Sequence, residues 1–565
     1  MSLAKLISVA RGDAPADLLI KNAKIINTFA GIIEEGNVAI YGDRIAGIGN
    51  YVKAKEILDL KGSYLAPGLI NGHTHIESSM LHPAQYAQAV VPRGTSATIT
   101  DLHEITNVAG FNGIKFVMDW AQKLPLDMFF VAPSCVPATN METSGAEIKA
   151  QDIKKILKMK NFIGLGEMMN FPGVISGDRE VLKKIAAAQG KVIDGHAPGV
   201  MNKRLNAYLS AGIGSDHEST TLEEGREKLR RGMHLMIREG SSEKNLDTLL
   251  PLVNDRTYHR CFFVVDDRSC SDLLQEGDID AVVRKAIQSG LEPVRAIQLA
   301  TINTAEYFRL YDHGGIAPGH IANLITITDL PNLEINMVLY RGRLVARNGK
   351  YLEAPLKASA NELTDTVRIK PFAIGALKLT TDRKCLPVIE IIPGQIITKK
   401  RIELVKIKDG IVIPDLEEDI LKLVVVERHK ASGNIGVGLV KGFGLKRGAL
   451  ASSIAHDSHN IVAVGTNDSD IFTAIKEIER LQGGLVVCVD GKILAALPLP
   501  VAGLLSPEPL ETVVKKFEKV EKTAAGLGHV PPAPFALLSF IALPVIPELR
   551  LTDMGLVDVL EFKLI

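Results

Sequence analysis

The chain has 565 residues, 46% hydrophobic and 23% charged, and its 65 basic and 65 acidic side chains cancel to a formal net charge of zero. That length exceeds one compact core and predicts two or three domains, in a composition ordinary for a globular protein. The even balance offers no electrostatic footprint for a nucleic acid or a membrane surface, so neither is expected as a partner; weak self-repulsion leaves room for a homo-oligomer.

From the N-terminus, MSLAKLISVARGDAP lacks the sustained apolar stretch and cleavage site of a signal peptide. Residues 17–65 then alternate short apolar runs with Gly, Asp and Asn turns, as in ADLLIKNAKIIN and GNVAIYGDRIAGIG, which predicts strands of a small β-sandwich. The same texture returns at 322–351. Between the two, strand and helix patterns alternate eight times, from GLINGHTHIE through ATITDLHE, MFFVAPSC, FIGLGEMM, KVIDGHAP, GIGSDHE and HLMIREGS to CFFVVDDR. Repeated βα units imply parallel strands with covering helices, and eight of them over roughly 250 residues match a (β/α)₈ TIM-like barrel. After about residue 370 a strand-rich segment with two helical patterns reads as an additional C-terminal α+β domain. The expected division is 1–66 and 319–370 for the β-sandwich, 67–318 for the barrel and 371–565 for the C-terminal domain. Five scattered cysteines without CxxC spacing argue against disulfides or a cysteine zinc site. PFALLSFIALPVIPEL is broken by proline and shorter than the roughly 20 residues of a membrane span, so a cytoplasmic location is expected.

The chemistry is concentrated where barrel strands end. Strand one ends in His73, His75 and Glu77, strand two in Asp101, His103 and Glu104, and strand four in Glu167. Strand five ends in Asp194 and His196, strand six in Asp216, His217 and Glu218, strand seven in Arg238 and Glu239, and strand eight in Asp266, Asp267 and Arg268. The C-terminal rim is where such barrels assemble their sites, and converging imidazoles and carboxylates suit one or two divalent ions. Residues two apart in a strand share a face, so HTH turns both rings the same way. Asp194 and Asp216 read as hydrogen-bonding partners that orient ligands. Glu77, His103 and Glu104 read equally as ligands, acids or rim groups, and Arg238 with Glu239 as a bracing ion pair or a substrate clamp. Cys135 reads as core filler, and His82 and His234 as structural.

An HxH following PG-x-I-N-G, single histidines ending strands five and six and an aspartate ending strand eight resemble the amidohydrolase superfamily. PGLINGHTHIESSM, GLGEMMNFPGV, DGHAPG, SDHES, DDR, ERHKASGNIGVGLVKGFGL and ASSIAHDSHNIVAVGTND more closely resemble the bacterial and archaeal adenine deaminases, along nearly the whole chain. That resemblance implies two divalent ions, Mn²⁺ first with Fe²⁺ or Zn²⁺ as substitutes. It places His73, His75 and Asp266 on one ion and His196 and His217 on the other, with Glu167 bridging. It also implies hydrolysis of adenine to hypoxanthine and ammonia, a step of purine salvage, with adenine and water as the small-molecule partners. Asp266 is expected to carry the proton of the attacking water to the leaving amine. For the acid that protonates the ring, Gly199 stands where some related deaminases have a glutamate, which leaves Glu104, Glu77 and Glu218. Asp267, Arg238 and Ser134 are candidates for contacts with the base. Leu102, Val265 and Asp278 depart from the family pattern, and Asp278 is expected to bear on the rim and on substrate choice. The His456–Asn460 segment, HDSHN, reads either as a cap over the barrel mouth or as a network internal to the third domain. Competing readings are another amidohydrolase reaction on a different base or cyclic amide, and a barrel kept as a non-catalytic scaffold.

Overall fold

A computed structural model describes residues 2–354, 356–392 and 395–565. Strands from both flanks of the barrel sequence hydrogen-bond into one nine-stranded sheet. Its inner seam is the antiparallel pairing of Tyr64–Pro67 with Leu324–Asp329, in register from Leu324 opposite Pro67 to Ile327 opposite Tyr64.

The barrel strands follow in chain order: Leu69–His75, Thr95–Asp101, Asp127–Ala132, Phe162–Met168, Val192–Gly195, Ser215–Asp216, His234–Arg238 and Cys261–Val264, the last continued by Asp266–Asp267. All pair in parallel. Strands one to five form one ladder and six to eight another, and the amide of Gly214 bonds to the Ile193 carbonyl across the seam between them. Strand eight closes the ring, pairing first with strand seven and then, through Asp266 and Asp267, with Thr74 and His75 of strand one. These strands are buried on both faces, which is why their sequences are near-continuous runs of Val, Ile, Leu and Phe. Helices such as Arg179–Ala187 and Leu222–Arg230 cover the outside, entered through side-chain caps at Asp178 and Thr221.

Inside the barrel, Ile70, Ala97, Ile99, Val131, Val192, Met236, Phe262 and Val264 pack as a solid plug. The period of two then carries the same faces upward from hydrocarbon to polar groups: Ile99 to Asp101, Met236 to Arg238, Val264 to Asp266. The site therefore stands on a packed floor.

The C-terminal part is built on an eight-stranded sheet between Cys385 and Pro498, with helices Asp468–Leu481 and Leu510–Ala525 packed against it. It grips the barrel mouth through the loop after strand three. Thr143 donates its amide and hydroxyl to Asp553 at 2.9 and 2.6 Å, and Asn460 Nδ2 donates to the Thr143 carbonyl. Among the described residues no helix is long and apolar enough to cross a membrane. Asp278 is fully buried below the rim, accepting from Asn71 Nδ2 at 3.1 Å and Thr95 Oγ1 at 2.8 Å. The expectation that it shapes the mouth is thereby corrected. It braces the body of strand one against the start of strand two.

At the opposite end, Asp127 opens strand three and ties the barrel to the flanking sheet. It accepts from Asn323 Nδ2, Tyr340 Oη and an Arg341 terminal nitrogen at 2.7–2.8 Å, with His313 at 3.4 Å. Burial alone would raise its carboxyl, but the His313 hydrogen bond and the Arg341 charge hold it at about 2, below the ordinary 3.8. A depressed carboxylate stabilises the fold above pH 3.8 and loses that contribution as pH falls towards 2. Asp127→Asn is therefore expected to be about 2 kcal/mol less stable than the native chain at pH 7, with the gap closing between pH 3.8 and 2. Urea unfolding at a series of pH values measures it; a gap that persists at pH 2 would contradict the assignment.

Candidate metal centre at the barrel mouth

Strand ends separated by almost 200 residues deliver their side chains to one buried cluster. The two oxygens of Glu167 face two pairs of histidines. Oε1 lies 3.1 Å from His75 Nε2 and 3.7 Å from His73 Nε2. Oε2 lies 2.7 Å from His196 Nδ1 and 3.2 Å from His217 Nε2. Asp266 Oδ1 stands 3.3 and 3.1 Å from the Nε2 atoms of His73 and His75. The six residues named as ligands from the sequence thus meet at one point, and Glu167 lies between the halves.

Local structure aims each group. Asp266 holds φ at 61°, a left-handed conformation in which aspartate is enriched, and this turns the chain out of strand eight. His75 Nδ1 donates to the Asp101 carbonyl at 3.3 Å, which fixes its tautomer and leaves the Nε2 lone pair facing Glu167 and Asp266. Asp101 also accepts the Glu167 amide at 3.0 Å and the His103 amide at 3.1 Å, so one carboxylate joins the ends of strands two and four. Ser134 donates its hydroxyl to the Glu167 carbonyl.

Two expected roles come out differently. Asp194 and Asp216 do not bond the ligand imidazoles. Asp216 accepts from the amides of Ala197 and Glu218, each one residue beyond a histidine, and from the buried Lys228 at 2.8 Å, so it fixes loops instead of rings. Asp194 accepts from Ser215 and Tyr307. Arg238 does not pair with Glu239, which binds Lys285 at 2.7 Å. Its guanidinium instead holds Glu218 and, at 2.7 Å, Asp266 Oδ2. The reason is the strand's alternation: Arg238 continues the inward face of Met236, and Glu239 turns outward.

The remaining acids differ in what holds them. Glu77 Oε1 accepts the Ile105 amide at 3.2 Å, its other oxygen is buried with no partner among the described residues, and burial pushes the carboxyl up to about 7. Glu218 is held by Arg238. Glu104 takes His456 on one oxygen and His459 on the other, so the HDSHN segment reaches across the domain boundary to the mouth. The sequence offered this segment as a cap over the barrel mouth or as a network internal to the third domain, and no spacing rule linked its histidines to Glu104. Beside the cluster lies a cavity of about 110 Å³ whose lining includes Met80, Asp267, His456, Phe517, Phe535 and Phe540. Asp267 is on its wall, accepting from the Ser78 hydroxyl; Arg238 and Ser134 are not among its lining residues.

The donor set suits divalent cations. Among the described residues, both ring nitrogens of His73 and the Nδ1 of His217 are buried without a hydrogen-bond partner, and Glu167 and Asp266 are almost wholly buried among neighbouring imidazoles. Buried polar groups are normally paired, and cations among these oxygens and nitrogens would satisfy them.

Barrel and cluster define a hydrolase of the amidohydrolase class, and the amidohydrolase family model matches residues 64–345. The model described as adenine deaminase C-terminal domain matches residues 395–563. Adenine deaminase of Dehalococcoides mccartyi is 61% identical over 564 residues, covering 100% of this chain and 99% of the relative. Adenine deaminase 2 of Carboxydothermus hydrogenoformans is 47% identical over 99% of this chain and 98% of its own length. The chain belongs to the adenine deaminase family of amidohydrolases, and divalent metal use goes with that membership.

Packing beside the cluster is tight enough to probe. A Cβ on Gly166 would stand 1.9 Å from Asp101 Oδ2, the atom that accepts the Glu167 amide. Gly166→Ala is expected to cost about 1–3 kcal/mol and to lower the bound metal per chain, measured by denaturant unfolding and elemental analysis. Native stability with full metal content would refute the strut.

Proposed function

We infer that this chain catalyses the hydrolytic deamination of adenine to hypoxanthine and ammonia. The observation that carries the reading is one carboxylate, Glu167, spanning two histidine pairs, in a chain alike along its full length to enzymes named adenine deaminase. We propose two divalent ions, Mn²⁺ in first place: His73, His75 and Asp266 would hold one, His196 and His217 the other, with Glu167 between them. Bound there, such ions supply nucleophilic water near neutrality by lowering its pKa from 15.7 towards about 7.

The chain's own groups do the rest. Asp266 takes the proton of the attacking water and passes it to the departing amine. Arg238 clamps Asp266 Oδ2, which keeps Oδ1 turned to the reacting side. The apolar walls of the adjoining cavity, Met80, Phe517, Phe535 and Phe540, suit a flat, uncharged ring. Asp267 offers it an acceptor. Product chemistry supports a place in purine salvage.

Purified protein supplied with Mn²⁺ is expected to convert adenine to hypoxanthine with one ammonia released per turnover. Chelation should abolish this and Mn²⁺ restore it. Asp266→Asn should lower kcat by roughly 10²–10⁴-fold. Absence of ammonia from adenine would reject the substrate, and full activity in metal-free protein would reject the centre.

A further inference from the structure

Glu104 lies at the mouth with both oxygens occupied. Ala455 donates its amide to His459 Nδ1 at 3.2 Å, so the His459 proton sits on Nε2 and is given to Glu104 Oε2. His456 Nδ1 donates to Glu104 Oε1. A carboxylate that accepts from two buried imidazoles is held ionised: burial alone would raise it, but the imidazoles of His456, His459 and His103 around it pull it well below the usual range. It has no proton to give. What it does is set the orientation of His456.

His456 is committed to Glu104 through Nδ1 alone, and among the described residues its Nε2 has no hydrogen-bond partner. One face of the ring is covered by Phe540, stacked at 4.7 Å between centroids with the planes 15° apart. The residue also lines the apolar cavity beside the cluster, as Asp267 does. An imidazole held at one nitrogen, packed on one face and set in the wall of the cavity has only Nε2 left to offer a ligand.

We propose that His456, supplied by the C-terminal domain, is a substrate-contacting residue that donates a hydrogen bond from Nε2 to a ring nitrogen of the base. The bond draws electron density from the ring and makes the amino-bearing carbon a better target for water; no proton need be transferred. Burial would favour the neutral ring, but Glu104, Asp267 and Asp457 raise its pKa to about 9, so at neutral pH Nε2 carries the proton it donates. Glu104 is then a positioning residue that acts through His456.

This rests on the deaminase reading, so turnover of adenine by the native chain is measured first; its absence rejects that reading and leaves His456 out of account. Given native turnover, His456→Phe keeps the stack on Phe540 and removes the donor. Its kcat/KM for adenine is expected to fall about 10- to 100-fold, the range of a hydrogen bond from a charged group. Inhibition constants for 1-, 3- and 7-deazaadenine, each lacking one ring nitrogen, locate the contact. The native chain should bind the analogue without the contacted nitrogen weakly, and His456→Phe should bind that analogue as the native chain does while losing affinity for the other two. His456→Gln, which retains a donor, should recover part of the loss and replaces the Phe variant if that one does not fold. An unchanged kcat/KM, or an equal loss for all three analogues, overturns the proposal.

Discussion

The structure turns on one electrostatic problem: four imidazoles and two carboxylates drawn from distant strand ends into one buried volume. Charges buried this way are costly unless paired. Glu167 resolves the conflict by geometry, giving one oxygen to each histidine pair, and Asp266 repeats the arrangement on one side. Every support nearby serves to keep those oxygens where they are. Asp101 fixes the Glu167 backbone, Ser134 its carbonyl, and Arg238 the far oxygen of Asp266. Supports of this kind are what hold a constellation of side chains within its productive geometry.

The barrel supplies that rigidity cheaply. An apolar plug fills the interior, and the alternation of strand residues changes from hydrocarbon to polar only in the last layer. Structural and chemical residues are therefore separated by height along the same strands. Asp127 and Asp278 show the consequence: both are buried acids, yet one joins the barrel to the flanking sheet and the other braces strand one against the start of strand two, away from the mouth.

Much of this was written in the sequence. Eight apolar runs ending in His, Asp or Glu are enough to place a rim, and HTH, GEM, DGH, SDH and DDR name the residues that converge there. The period of two also marks Arg238 as inward, although its neighbour Glu239 left an ion pair between them open beside a substrate clamp, and the pair does not form. Hydrogen bonding around the cluster was less legible. A carboxylate next to a histidine invites the reading that it orients that ring, but Asp216 reaches backbone amides instead, because a side chain preceding its neighbour in a strand points to the opposite face. The pairing of Glu104 with His456 and His459 was beyond pattern reading, since these come from a loop of the C-terminal part, between the strands Ala449–Ser452 and Ile461–Gly465.

The bond between Glu104 and His456 joins positions 352 residues apart. During synthesis at about 5–20 residues per second, the second partner leaves the ribosome roughly 20–70 s after the first. Only in the last part of that interval, once Asp267 has emerged, does a nascent barrel have its floor, its strand ends and its cluster, with one wall of its cavity still unwritten. Competence is thus conferred late, by the domain that arrives last.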